Sequence, residues 1–391
     1  MKNKPELLAP AGDFKSLTAA VNAGADAVYF GLQEFNMRAR AKNFKISDLP
    51  KISKICQKNI KKYLTLNTII YDKELKKLEN IIKKIKPFVD AVICSDLAVM
   101  KLCKKYKIPF HISTQCSVSN TQTARFYKKL GAKRINLARE LNLQQIKKIS
   151  KIINTEIFIH GAMCISISGR CLISQFLFNE SANRGKCIQP CRRPYNITDN
   201  QGNQLRLENN FILSPKDLCT LNFFEKIKKS GVRAVKIEGR NREPEYVDTV
   251  VRVYRKAIDK KLTKKDIDEG LKELNKVYNK GFSSGFYLKM PTQDDFSISE
   301  NSSAKQSKKF IGKITHYYPK IKVGLLKLNT SEIKKGDEIL IHSKLGVIRH
   351  KIQSMQIKHK SVDKAIKGQD VGIQLPKCKK GDELYKIIRK N

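Results

Sequence analysis

The chain has 391 residues, with 78 lysines and arginines against 36 acidic residues, which gives a formal net charge of +42. At about 100 to 200 residues per domain, this length predicts two or three domains. The composition, 41% hydrophobic and 29% charged, is globular and excludes both a disordered chain and a disulfide-stapled miniprotein. The charge favours a polyanionic partner such as nucleic acid, although an AT-rich genome would produce the same lysine excess without any binding role.

Residues 6 to about 260 alternate short apolar strands with helices whose apolar residues recur at spacings of three and four. Repeated units of this kind predict an α/β fold with a parallel sheet, and their number fits a closed (β/α)8 TIM-like barrel better than an open sheet. Nine strand candidates are one too many for such a barrel, so one of them is expected to be wrong or to lie outside it. The candidates are Glu6–Ala9, Ala27–Phe30, Tyr63–Leu66, Ala91–Cys94, Phe110–Ile112, Arg134–Leu137, Glu156–Ile159, Phe211–Leu213 and Ala234–Ile237.

A second region follows the barrel units. Residues 301–307 are polar and read as a linker, and residues 308–391 alternate apolar and polar positions between glycine turns. This pattern predicts a small all-β barrel domain after a barrel domain at residues 1–300. Its many lysines suit an RNA backbone, or a merely solvated face.

Four of the ten cysteines lie within 28 residues in the arrangement Cys-x6-Cys-x15-Cys-x3-Cys, in an insertion at about residues 160–195. Four soft thiolates in one loop are poorly explained by packing and predict metal binding. A 4Fe-4S cluster is favoured, because only one pair has the short spacing usual for zinc; zinc, a disulfide or packing remain alternatives. The four residues are Cys164, Cys171, Cys187 and Cys191, and the other six cysteines read as packing residues.

The first residues of the chain place Pro5, Glu6, Pro10 and Asp13 where a signal peptide needs an apolar stretch. No apolar run approaches the roughly 18 residues that a membrane-spanning helix requires. The expected location is therefore cytoplasmic, with no membrane partner.

Several long segments together resemble a known family. They are residues 6–13 (ELLAPAGD), 29–31 (YFG) with 35–41 (FNMRARA), 158–164 (FIHGAMC), 168–171 (SGRC), 214–219 (SPKDLC) and 235–240 (VKIEGR). On these segments the chain resembles the collagenase-like peptidase family of unassigned catalytic type. Within it the chain is most similar to the prephenate-dependent tRNA uridine 5-hydroxylase subgroup. The alternative within the same family is the 23S rRNA cytidine hydroxylase.

The resemblance implies an enzyme that hydroxylates the tRNA wobble uridine to 5-hydroxyuridine without molecular oxygen, with prephenate as co-substrate. It also implies a 4Fe-4S cluster on the four cysteines named above. An RNA hydroxylase must expose a single-stranded base, as an anticodon loop does. A noncatalytic iron-sulfur RNA-binding or assembly role is the alternative from another functional class.

The polar residues at the carboxyl ends of the predicted strands converge on one face of a barrel, where barrel enzymes place their chemistry. Arginines there suit carboxylate or phosphate recognition, and a histidine or glutamate suits proton transfer. Surface ion pairs, a structural histidine, or a pair between Lys236 and Glu238 are the simpler readings. The candidate catalytic residues are His160 and Glu238, and the candidate substrate-binding residues are Arg38, Arg40, Asn67, Gln115, Lys236 and Arg240.

Proteolysis is the activity that the family name suggests. The sequence contains no His-Glu-x-x-His zinc motif. A cysteine peptidase could use His160 with Cys164, but a thiolate that ligates a cluster is not a nucleophile. The sequence therefore favours hydroxylation over peptide cleavage.

Overall fold

A computed structural model describes residues 4–57, 59–196, 198–203, 211–329, 332–344 and 346–390. Its first ten strands are β1 (Glu6–Pro10), β2 (Ala27–Gly31), β3 (Lys61–Leu66), β4 (Ala91–Cys94), β5 (Phe110–Ile112), β6 (Arg134–Asn136), β7 (Thr155–Gly161), β8 (Asp217–Cys219), β9 (Ala234–Ile237) and β10 (Phe282–Ser283). Strands β1 to β7 pair in sequence order, all parallel, and β9 pairs in parallel with both β7 and β1. The predicted eight-stranded TIM-like barrel is thereby confirmed.

Ten helices are described, most of them packed outside the barrel. Helix α1 begins after Asp13, whose carboxylate caps the Ser16 N–H, and α6 begins with a capping box formed by Asn142 and Gln145. The helices are α1 (Phe14–Asn22), α2 (Leu49–Cys56), α3 (Leu75–Ile85), α4 (Leu97–Lys105), α5 (Thr121–Leu130), α6 (Leu143–Ser150), α7 (Ile173–Phe178), α8 (Phe224–Lys229), α9 (Pro244–Asp259) and α10 (Lys264–Leu274). No helix of the described residues is long and apolar enough to cross a membrane.

The strand candidate Phe211–Leu213 is wrong. Those residues form a turn, and the neighbouring strand is β8, which runs antiparallel to the end of β7 and takes no place in the barrel circuit. A run of three apolar residues does not distinguish a strand from a turn, which is why the residue pattern predicted nine strands for eight places in the barrel.

The C-terminal region is all-β, as the sequence predicts, and its strands pair in antiparallel fashion. Eight strands are hydrogen-bonded in the order β15-β14-β20-β11-β12-β19-β16-β17, and β13 pairs with β18. The sheet has its own apolar core, which includes Ile311, Ile341 and Leu384. Its strands are β11 (Gln306–Tyr318), β12 (Val323–Lys327), β13 (Glu332–Lys334), β14 (Glu338–Ser343), β15 (Gly346–Lys351), β16 (Met355–Ile357), β17 (Lys360–Ser361), β18 (Lys364–Ile366), β19 (Asp370–Gln374) and β20 (Glu383–Arg389).

The two regions meet where α1 and α9 pack on β15. Buried His342 on β14 lies 3.0 Å from Glu245 at the start of α9, and Lys308 on β11 lies 2.7 Å from the same carboxylate. These contacts hold the C-terminal sheet beside the helices next to β1 and β9. The domain limits at residues 300 and 308 stay a prediction; β11 itself begins at Gln306.

Candidate functional site

A cavity opens at the carboxyl-end face of the barrel, roofed by the segment that carries the four cysteines. It is lined by every predicted site residue except His160. These lining residues come from distant parts of the chain, and the closure of the barrel brings them together. They are Arg38, Arg40, Asn67, Gln115, Cys164, Cys171, Cys187, Cys191, Lys236, Glu238 and Arg240.

The cavity is strongly cationic. Six lysine and arginine side chains line it, whereas Glu238 is the single carboxylate among its described lining residues. A concave surface with one sign of charge and low-dielectric walls concentrates ions of the opposite sign. The cavity therefore suits an anionic ligand. Its cations are Arg38, Arg40, Arg139, Arg192, Lys236 and Arg240.

Glu238, just beyond β9, is tied to Arg38 in the loop after β2. Arg38 donates to one Glu238 oxygen from Nη2 at 2.7 Å and from Nε at 3.2 Å. Burial alone would raise the pKa of Glu238, but the charges of Arg38, Arg139 and Arg240 and the Arg38 hydrogen bonds outweigh it and lower the pKa to about 2. Glu238 is thus ionised at neutral pH.

Arg240 is a buried guanidinium, 4% exposed, at the floor of the cavity. Its Nη1 donates to the Thr65 hydroxyl at 2.9 Å, and no carboxylate of the described residues forms an ion pair with it. Burial and the charge of Arg38 lower its pKa to about 10, so the group is still protonated at neutral pH. Only glycine leaves room for it at position 31, where a Cβ would lie 2.4 Å from Nη1. A buried cation without a carboxylate is a natural anchor for an anionic ligand.

Lys236 has a different partner from the one that the sequence suggested. Its Nζ forms an ion pair with Glu156 on β7, at 2.9 Å, and not with Glu238. Glu156 also lies 3.5 Å from Arg134. Arg134 in turn lies 2.6 Å from Glu6. The alternative reading, a pair between Lys236 and Glu238, is therefore wrong, because Arg38 reaches Glu238 from a loop that strand spacing does not reveal.

Side-chain amides form another part of the cavity lining. The Asn67 amide nitrogen donates to Gln115 Oε1 and to the Ser113 hydroxyl, each at 3.2 Å, and its oxygen accepts the Met37 N–H at 3.2 Å. Asn136 is 2% exposed, and its Oδ1 has no hydrogen-bond partner among the described residues. A buried acceptor without a donor marks a place where a ligand can supply one.

His160 does not reach the cavity, which corrects the expectation that it serves there as an acid or base. Phe158 pairs with Lys236 but His160 pairs with Ile237, so a β-bulge shifts the register of β7 by one residue. The bulge turns His160 to the outer face of the barrel, against Tyr246, Tyr254 and Phe282. Burial and the charge of Arg242 lower its pKa to about 3, so it is a neutral packing residue.

The cysteine segment is fastened to the barrel by arginines. Arg184 lies 2.5 Å from Glu74, and Arg192 donates to the carbonyls of Met163 and Pro215 at 2.5 Å. Gly185 has φ of +85°, and a Cβ there would lie 2.3 Å from the Asn36 carbonyl oxygen. Close approach of this glycine brings the segment onto the loop that carries Arg38 and Arg40.

The four sulfur atoms form no disulfide with one another. Among the described residues, no three of them lie within 4.8 Å of each other; the group that meets this limit is Glu243, Glu245 and His342. Sulfurs around one tetrahedral zinc ion would stand roughly 3.8 Å apart. A cubane places each thiolate on a different iron and so accepts sulfurs that stand farther apart than those around a single tetrahedral ion.

Comparison with known sequences identifies the family. The sequence pattern of peptidase family U32 matches residues 12–297, most of the barrel with the cysteine segment. The chain belongs to peptidase family U32.

Relatives of this U32 chain carry two kinds of name. A protein named collagenase from Porphyromonas gingivalis is 39% identical over 99% of both chains. An uncharacterized protease of Methanocaldococcus jannaschii is 41% identical over 97% of both. A protein named tRNA hydroxylation protein P1 from Bacillus subtilis is 35% identical over 86% of this chain and 83% of its own.

Several residues of the cavity lining were not predicted from the sequence of this U32 chain, among them Asn136 and Arg139. Asn136 is the last residue of β6 and Arg139 follows that strand, and both line the cavity. Arg139 donates to the Ala162 carbonyl at 2.7 Å and stacks 4.0 Å from the centre of the Phe158 ring. Arg139 was visible as a polar residue at a strand end, but Asn136, inside its strand, carried no sequence signal.

Proposed function

We propose that this chain hydroxylates a pyrimidine base of RNA, the tRNA wobble uridine at its 5-position, with prephenate as oxygen donor. The observation that carries the proposal is a single cavity in which four thiols and six cationic side chains meet. The name of the Bacillus subtilis relative and its 35% identity support an RNA substrate.

Two carboxylates of the donor find complementary charge in the cavity. Buried Arg240 has a guanidinium that no carboxylate of the described residues neutralises, and it is the first anchor. Arg40, 3.6 Å from Glu180 and half exposed at the rim, is the second. Bidentate guanidinium geometry fits a planar carboxylate, which a lysine ammonium does not match.

Cys164, Cys171, Cys187 and Cys191 would hold a 4Fe-4S cluster, which when bound supplies one-electron chemistry beside the substrate. The Cys187 sulfur accepts the Gln189 N–H at 3.4 Å, a contact of the kind that tunes such a group. The protein's own task is to bind and orient the donor and the base around it and to keep bulk water away.

Glu238 is assigned an orienting role. With a pKa of about 2 it is ionised, and it is a weak base at neutral pH. Its carboxylate can accept a hydrogen bond from the N3–H of a uracil ring while it holds Arg38 in place. The amides of Asn67, Gln115 and Asn136 offer further groups that can read the edge of an unstacked base.

Peptide cleavage fits the cavity less well. Among the described residues that line it there is no histidine, so Cys164 has no imidazole base. Gly281–Gly285 has the spacing of a Gly-x-Ser-x-Gly elbow, but its Ser283 lies on the two-residue strand β10, outside the cavity lining. The names of the relatives still make cleavage worth a direct assay, with gelatin as substrate.

Nucleoside mass spectrometry tests the proposal. A strain that lacks the gene should lose 5-hydroxyuridine derivatives from its tRNA, and the wild-type gene should restore them whereas Arg240→Lys should not. A loss of 5-hydroxycytidine from 23S rRNA with unchanged tRNA nucleosides would instead show that the substrate is a cytidine of ribosomal RNA. Unchanged nucleosides in both RNAs would contradict hydroxylation and leave a binding or assembly role.

A further inference from the structure

A second concave surface lies between the barrel and the C-terminal sheet, away from the cysteine segment. It is formed by α10, the residues before β11, and strands β14, β15 and β20. Its lining residues, within the described part of the chain, include seven lysines and arginines and one carboxylate, Glu338, whereas the whole chain has about two basic residues per acid. We call this surface the basic groove. Its cations are Lys272, Lys276, Lys305, Arg349, Lys351, Arg389 and Lys390.

Most of these cations are uncompensated. Lys276 lies 2.5 Å from Glu273, and Arg389 lies 3.3 Å from Glu338. The other five are exposed and form no ion pair with the described residues, unlike Lys256 and Lys260, which share Asp266. Five like charges facing one concavity repel each other unless a polyanion or salt neutralises them.

The basic groove leads toward the cavity at the carboxyl-end face of the barrel, called the catalytic cavity below. A depression next to it shares Lys276, Arg349 and Lys390 with the basic groove and is also lined by Asn241 and Arg242. Asn241 lines the catalytic cavity as well. The concave surfaces thus follow one another from the basic groove to the site of the proposed reaction.

The intervening depression also offers a flat platform. The Arg242 guanidinium lies 3.6 Å from the centre of the Tyr278 ring, and both residues line the depression. Arginine planes and aromatic rings are the surfaces on which unpaired bases stack. A chain that lies in the basic groove could therefore place a base on this platform on its way to the cavity.

We propose that the basic groove binds the phosphodiester backbone of the RNA substrate at a distance from the target base. The inference rests on the proposed function, which makes RNA the substrate, and it assigns the C-terminal sheet a role in holding that RNA. Exposed, unpaired lysines in an open groove suit successive phosphates, because each contact releases counterions without a buried charge. A small anion would require a closed site with desolvated donors.

Charge reversal tests the proposal in the full-length protein. The groove variant is Lys272→Glu with Lys351→Glu and Lys390→Glu. The matched control, with the same net charge, is Lys76→Glu with Lys84→Glu and Lys129→Glu on α3 and α5, which belong to the other side of the barrel. Binding of fluorescent tRNA is measured by anisotropy at several salt concentrations.

The groove variant should bind tRNA at least tenfold more weakly than the control at moderate salt. Its plot of log affinity against log salt should be shallower by about two, at roughly 0.7 per lost phosphate contact. Equal affinity and slope in the two variants would overturn the proposal. If the wild-type protein itself fails to bind tRNA, the proposed function fails, and not the groove assignment alone.

A variant that should bind tRNA more tightly serves as a further control, because misfolding could only weaken binding. Glu338→Gln removes the single carboxylate of the groove lining and should tighten tRNA binding two- to threefold. Its side chain is 46% exposed, so the change leaves the core untouched. Weaker or unchanged binding by Glu338→Gln would also count against the proposal.

Discussion

The Arg38 guanidinium donates two hydrogen bonds to one oxygen of Glu238, at 2.7 and 3.2 Å. This pair joins the loop after β2 to the end of β9 and places the one carboxylate of the described cavity lining against a cation. It also leaves Arg240 free of a carboxylate, because Glu238 is already engaged. The affinity of the cavity for anions therefore depends on Glu238 staying bound to Arg38, which leaves the charge of Arg240 available to a ligand.

Glu238→Gln should strengthen donor binding while it weakens the fold. The change removes the negative charge nearest to Arg240, so Kd for prephenate should fall several-fold in calorimetric titration. Arg38, 38% exposed, would lose its partner, and we expect a loss of about 1–2 kcal/mol, less than for a fully buried pair. Weaker donor binding by this variant would show that Glu238 contacts the donor favourably.

Arg240→Lys should specifically weaken binding of the donor. A lysine keeps the charge but loses the guanidinium fork, and a charge-assisted hydrogen bond is worth about 1.5–3 kcal/mol, or roughly ten- to a hundredfold in KM. The control is Arg252→Lys on α9, an exposed arginine paired with Asp248. An unchanged KM for prephenate in Arg240→Lys would remove Arg240 from the proposed donor site.

Serine at any of the four segment cysteines should abolish the cluster. Anaerobically purified wild-type protein should be brown and carry about four iron and four sulfide ions per chain. Cys164→Ser, Cys171→Ser, Cys187→Ser and Cys191→Ser should each lose most of both, whereas Cys116→Ser, outside the cavity lining, should keep them. A colourless wild-type protein with one zinc ion per chain would refute the cluster.

The sequence predicted the parts of the site that depend on strand order and failed where they depend on local irregularity. Polar residues at strand ends meet in any closed barrel, so Asn67, Gln115 and Glu238 could be grouped without coordinates. The bulge that turns His160 outward leaves no mark in the residue pattern, since Glu156, Phe158 and His160 alternate as an undistorted strand would. The partner of Glu238 was missed for a related reason, because loop residues reach a site by paths that periodicity does not describe.

His160→Phe should keep activity and make the protein more resistant to acid. His160 has a folded pKa of about 3 against an ordinary value of 6.5, so below pH 6.5 the unfolded chain takes up a proton that the folded chain refuses. Its contribution to stability is complete above pH 6.5 and falls by about 1.4 kcal/mol per pH unit as the pH drops from 6.5 toward 3. Phenylalanine removes this dependence, and Tyr254 retains hydrogen bonds to the Ile159 carbonyl and the Thr220 N–H.

Urea unfolding between pH 4.5 and 7.5 measures this effect. The free energy of unfolding of His160→Phe should fall less steeply with acid than that of the wild type. His316→Phe, at an exposed histidine of the C-terminal sheet, should follow the wild type. A complete loss of hydroxylation in correctly folded His160→Phe would contradict the packing role and would return His160 to the candidate catalytic residues.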